Sequence, residues 1–173
     1  WNSPNSMEDL DIEGRFRGSE PMWFQGPFLR MLQDRPEEAV DVIIRLVGFA
    51  TSRWERWDRQ WHRRYGDGDE AVRRRVTVLL GDGEREWLGD ARVYGWYRNR
   101  FGDAPLVVNA LMALEKYLYD RVDAEVDITH IISKILAETD SVAFAGVLLA
   151  VGRYQLVNKK SAALLRGQLL PLL

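Results

Sequence analysis

Apolar positions along this chain recur mostly with a helical period. Val40, Ile43, Ile44 and Val47 stand at i, i+3, i+4 and i+7 and predict one buried face on a long helix. Its start is marked by Asp34-Arg35-Pro36-Glu37-Glu38, with proline at the first helical position and two carboxylates complementing the helix N-terminus. Gly26-Pro27 offers the same signal for a shorter helix over 27–33. No proline interrupts the pattern between Pro36 and Tyr65, although Gly48 and the Thr51-Ser52 pair are places where it would bend. The glycines of Tyr65-Gly66-Asp67-Gly68-Asp69 end it, and residues 1–20 read as a loosely ordered lead-in.

The period then changes. Arg75-Val76-Thr77-Val78-Leu79-Leu80 is short and β-branched, followed by Gly81-Asp82-Gly83 and a second short run over 84–88. This predicts a β-hairpin near 74–88. Asp90 next caps a helix through Arg98, and Pro105 opens another that buries Leu106, Ala110, Leu111, Leu114, Tyr117 and Leu118 and ends near Asp123. Asp127 is the expected cap of a helix striped by Ile128, Ile131, Ile132, Ile135 and Leu136. Ser141 is the expected cap of a helix over 142–154, apolar nearly all round and therefore central. A last helix begins near Ser161.

Short connections between these helices predict antiparallel helical hairpins. The fold class is therefore mainly α, either HEAT/armadillo-like or an irregular helical bundle, with one small inserted β-hairpin. No self-similarity recurs at roughly 34 to 47 residues. Residues 110–119 (ALMALEKYLY) and 141–152 (SVAFAGVLLAVG) resemble helical-repeat regions of large bacterial multidomain STAND-type ATPases, and the resemblance covers about residues 90–173. It implies a sensor or scaffold segment whose nucleotide chemistry lies elsewhere in a longer chain. No GxxxxGK[ST] loop occurs here, and no functional residue carries over.

Composition adjusts this picture in three ways. The 173 residues suit a single helical module, and the apolar Leu169-Leu170-Pro171-Leu172-Leu173 end reads as cut from something longer. There is no Cys and there are two His, so a disulfide framework, Cys-ligated zinc and a thiol nucleophile are excluded within this segment. The first residues resemble no signal peptide, and the longest apolar stretch, 142–151, is about half of what a bilayer requires. A soluble, cytoplasmic protein is expected. The net charge of −2 is a cancellation: residues 51–100 carry 12 basic and 9 acidic groups, while 1–50 carry 5 and 9.

That basic middle holds the sharpest local feature. Trp54, Trp57, Trp61 and Tyr65, spaced by three, four and four, form one aromatic stripe on a helix, interleaved with Arg53, Arg56, Arg59, Arg63 and Arg64 and followed by Arg73-Arg74-Arg75. Stacking rings and phosphate-neutralising guanidinium groups are the composition of a single-strand nucleic-acid platform. The plainer alternative, which the sequence favours, is a tryptophan face in the core and an arginine face paired to Glu55, Asp58 and Asp67. An uninterrupted basic face would decide for nucleic acid; pairing would decide for a protein contact.

Other constellations are weaker. Gly66-Asp67-Gly68-Asp69-Glu70 lacks the EF-hand spacing and reads as a solvated turn. Asp127 and His130 form one potential ligand pair without a second, and His62 has no nucleophile beside it. The later helices mix charges of both signs, unlike a membrane-binding face. The sequence thus predicts a non-catalytic scaffold or recognition module contacting proteins or neighbouring domains, without metal or cofactor. Its candidate surface comprises Trp54, Trp57, Trp61, Arg53, Arg56, Arg63 and Trp87. A nucleic-acid-binding module using Arg73–Arg75 and the same helix is the alternative.

Overall fold

The computed structural model describes residues 21–65, 74–80, 83–98 and 104–158. The lead-in, the turns at 66–70 and 81–82, Arg73, the helix expected from Ser161 and the apolar end at 169–173 lie outside these residues. The fold is mainly α with one two-stranded hairpin. Its elements are α1 (Phe28–Asp34), α2 (Pro36–Tyr65), β1 (Arg75–Leu80), β2 (Gly83–Leu88), α3 (Ala91–Tyr94) continued by a 3₁₀ turn (Gly95–Arg98), α4 (Pro105–Asp123), α5 (Thr129–Glu138) and α6 (Ala143–Asn158). Among the described residues no helix is long and apolar enough to cross a membrane.

Local chemistry accounts for the boundaries. Pro36, Glu37 and Glu38 occupy the first turn of α2. The Asp90 carboxylate accepts from the amides of Arg92 and Val93 and so caps α3. The hydroxyl of Ser141 accepts from the Ala143 amide at 3.4 Å at the start of α6. Helix α5 begins at Thr129, with Asp127 one residue outside the expected cap position, yet its carboxylate still accepts the Thr129 amide at 2.8 Å.

The helix pairing differs from stacked sequential hairpins. Helix α4 packs chiefly against α1 and α6 and also touches α2, while α5 lays its isoleucine stripe on α2. The arrangement is that of the irregular bundle. Helix α4 is its hub, with Val107, Ala110, Leu111, Leu114 and Leu118 buried, each large aliphatic side chain stabilising by about 1.5–3 kcal/mol. Two buried polar residues disguise this role in the sequence. Asn109 accepts the Met22 amide at 2.9 Å, and Glu115 accepts from Arg98 at 2.7 Å and from the Tyr119 hydroxyl at 2.5 Å. Helix α6 shares the core through Ala143, Phe144, Val147, Leu148 and Val151.

The hairpin is antiparallel, with Arg75 opposite Leu88, Thr77 opposite Glu86 and Leu80 opposite Gly83. Val78, Leu80 and Trp87 turn into the core. The free end of β2 is tied to the loop before α6: the Leu88 amide donates to the Asp140 carbonyl, and the Val142 amide donates to the Leu88 carbonyl at 3.0 Å. Gly89, at φ +126, is required there, because a Cβ would meet the side chains of Val142 and Val93. Ser141 also shares a 2.7 Å hydrogen bond with the buried Thr51 hydroxyl of α2.

Candidate interaction surface on the second helix

The last four turns of α2 divide into an inner and an outer face. The apolar stripe that starts at Val40 continues through Thr51 and Trp54 to Asp58, all buried. Asp58 is thus a carboxylate on the core face of an amphipathic helix. Two guanidinium groups from distant segments meet it: Arg74 donates from Nε at 2.9 Å, and Arg92 donates from Nη2 at 2.5 Å. Arg92 also bonds the Asp90 carboxylate at 2.8 Å and lies over the Trp54 ring, 5.2 Å from its centroid. His62, one turn on, places Nδ1 2.9 Å from the Asp58 carbonyl and 3.4 Å from its carboxylate.

Charge cannot be left unpaired at such a position without a penalty of several kcal/mol. The cluster is therefore a structural clamp joining α2, the start of β1 and the cap of α3. Burial opposes the charge on Arg92, but the bonds to Asp58 and Asp90 outweigh it and hold its pKa above the ordinary arginine value.

The outer face is an aromatic ladder. Trp57 and Trp61 stack with ring centroids 6.0 Å apart and planes 18° from parallel, and Tyr65 continues the stack at 4.6 Å. Both tryptophans are half-buried, and Tyr65 is 64% exposed. Neither tryptophan joins the hydrophobic core. Arg64 covers Tyr65 at 5.6 Å, and Arg56 and Arg63 are exposed beside the ladder.

The expected stripe is therefore split. Trp54 is core, and so is Trp87, only 1% exposed with its indole N–H unbonded; neither belongs to a surface. Spacing alone placed Trp54 with the outer rings, because it fixes a direction about the helix axis and not which turns of that face other elements cover: Arg92 lies over Trp54, whereas Trp57 and Trp61 stay outside the core. Arg53 is half-buried. Trp57, Trp61, Arg56 and Arg63 remain at the surface.

The arginines do not form one basic face. Arg59 bonds Glu55 at 2.8 Å, and Arg74 is buried against Asp58. An adjoining cleft of about 770 Å³ between α2 and the hairpin is lined by Arg59, Arg74 and Arg75 but also by Glu55, Glu86 and Asp90.

The remaining candidate ligands are engaged with other partners. His130 pairs with Glu37 of α2 at 3.0 Å, and Asp127 accepts the Thr129 amide at 2.8 Å; the Thr129 side chain and then that amide hold the Asp127 pKa below the ordinary aspartate value. Among the described residues no group of three or more His, Asp or Glu is placed to hold a metal ion.

No family model, curated protein or solved structure matches the chain.

Sequence reasoning missed Asp58 as the organising residue. The signal was present: a carboxylate four residues after Trp54, in register with Val47 and Thr51, on the face that must be buried.

Proposed function

We propose that this chain is a non-catalytic recognition module that contacts a protein partner, or a neighbouring domain of a longer chain, through the outer end of α2. One observation carries this reading: Trp57, Trp61 and Tyr65 form a preorganised aromatic stack outside the hydrophobic core. Aromatic and arginine side chains dominate the energetics of protein interfaces, and a stacked ladder loses little further rotamer freedom on binding. The clamp at Asp58 supports the reading by fixing this part of α2 to the hairpin and α3. The scaffold role implied by the resemblance to helical-repeat regions of STAND-type ATPases is compatible with it.

The distribution of charge favours protein over nucleic acid as partner. Glu55 and Asp58 take Arg59 and Arg74, the cleft mixes both signs, and phosphate binding gains from an uninterrupted basic track. The test is affinity capture with cross-linking, comparing the native chain with the Trp57→Ala/Trp61→Ala variant. The expected result is a partner cross-linked beside the ladder and lost in the variant, with unchanged circular dichroism. Equal recovery by both chains counts against the proposal. Binding of a single-stranded oligonucleotide that falls steeply as salt is raised would replace it with the nucleic-acid reading.

A further inference from the structure

The outer edge of β1 has no backbone partner among the described residues. Leu88, opposite Arg75, directs its backbone N–H and C=O away from β1, toward Asp140 and Val142. In an antiparallel pair the residues facing each other direct their groups alike, and the pattern repeats every second residue. Arg75, Thr77 and Leu79 therefore direct their backbone groups outward from β1. Among the described residues, none of the three makes a backbone hydrogen bond on that side.

Their side chains share one exposed face. Leu79 is 58% exposed, Thr77 is exposed, and the Arg75 guanidinium has no carboxylate partner among the described residues. The cleft beside α2 is lined by Arg75, Val76 and Thr77 in succession, with Glu55 and Arg59 on its α2 side. An edge of this kind is a template for another strand unless it is covered.

We infer that β1 accepts an extended peptide as a third, antiparallel strand, whose exposed-face residues are apolar opposite Leu79 and Thr77 and acidic opposite Arg75. Backbone pairing would supply the binding energy, and the Arg75–carboxylate contact would set register and direction. A second copy of this chain fits the edge less well. Antiparallel pairing centred on Thr77 sets Arg75 against the other copy's Leu79, which offers its guanidinium no carboxylate. This inference is independent of the aromatic ladder, because neither Trp57 nor Trp61 takes part.

The probe is the labelled peptide acetyl-Ser-Val-Ser-Val-Ser-Glu-Ser-amide, titrated against the full chain by fluorescence anisotropy. Saturable binding below about 1 mM is expected, as a short strand addition would give. Methylating the amide of the second valine, which pairs with Thr77, should weaken binding about tenfold or more by deleting a central hydrogen bond. Thr77→Pro removes an outward N–H without touching the bonds to β2, and should cause a similar loss while the chain stays folded. Arg75→Glu should also lose about tenfold, recovered by a peptide with Lys in place of Glu. If Thr77→Pro does not fold, the methylated peptide and the charge exchange decide alone. Absence of saturation up to about 1 mM, or equal binding of the methylated and parent peptides, overturns the inference. So does a native dimer in sedimentation that Thr77→Pro converts to monomer, since the edge would then belong to a second copy.

Discussion

Asp58 and Arg74 are sixteen residues apart in sequence and share a buried hydrogen-bonded ion pair of 2.9 Å. Asp58 is fully buried and the Arg74 side chain is 8% exposed, so neither charge has water to fall back on. The pair ties the end of the core stripe of α2 to the entry of the hairpin. Removing the carboxylate strands two guanidinium groups, because Arg92 uses it as well. Asp58→Ala should therefore destabilise the fold by about 3–5 kcal/mol in urea titrations. Asp58→Ala combined with Arg74→Met should lose less than the sum of the two single variants. Strict additivity would show that the two side chains do not act together.

The two faces of α2 predict unequal costs for chemically identical changes. Trp54→Ala empties a core site beneath the Arg92 guanidinium and should cost about 3–5 kcal/mol. Trp61→Ala removes a half-buried ring whose aromatic contacts are Trp57 and Tyr65 and should cost about 1 kcal/mol. Urea midpoints at equal m-value measure the difference. Comparable losses for the two variants would place Trp61 in the core and remove the ladder as a surface.

Gly146 of α6 lies against the Tyr97 ring, and a Cβ there would overlap the ring atoms Cδ1, Cε1 and Cγ. Its backbone angles are ordinary, so the constraint is contact alone. Gly146→Ala should cost about 1–3 kcal/mol despite the higher helix propensity of alanine. Pairing it with Tyr97→Leu should recover part of the loss, read as a positive shift in thermal midpoint relative to the single variant.

Tyr119 supplies a pH signature. Its burial, followed by its hydrogen bond to Glu115 and the charge of that carboxylate, pushes the phenol well above the ordinary tyrosine value, with Arg98 opposing. The folded state thus holds this proton more tightly than the unfolded chain. The associated stability is fully present below about pH 10, the unfolded value, and declines as pH rises above it. Urea midpoints should fall as pH is raised above about 10, and Tyr119→Phe should flatten that slope. The slope should not vanish, because Tyr117 and Tyr154 are also raised, Tyr117 mainly by burial and Tyr154 mainly by its bond to Asp123. An unchanged slope in Tyr119→Phe would show that its proton is not the one linked to folding.

Much of this fold can be read along the chain because its elements are specified by local geometry. The stripe Val40, Ile43, Ile44 and Val47, the proline at position 36, the Asp90 cap and the β-branched run from Arg75 each act within a turn or two of themselves. The signal that marks such an element lies within its own segment, whatever later packs on it. Helix α4 shows where this ends. Asn109 and Glu115 look like surface positions until Met22 bonds the Asn109 carbonyl oxygen and Arg98 and Tyr119 bond Glu115.

The sequence by itself determined the described helices, the hairpin, the Asp90 cap and the aromatic spacing on α2. Tertiary structure decided that α4 would be the hub, that Trp54 and Trp87 would be core, and that Trp57, Trp61 and Tyr65 would stay outside. It also decided that Asp58 would be the buried meeting point of two arginines and that the outer edge of β1 would have no backbone partner among the described residues. The physical reason is that periodicity specifies which face of an element is apolar, whereas burial of a charge or exposure of a ring depends on partners contributed from elsewhere in the chain.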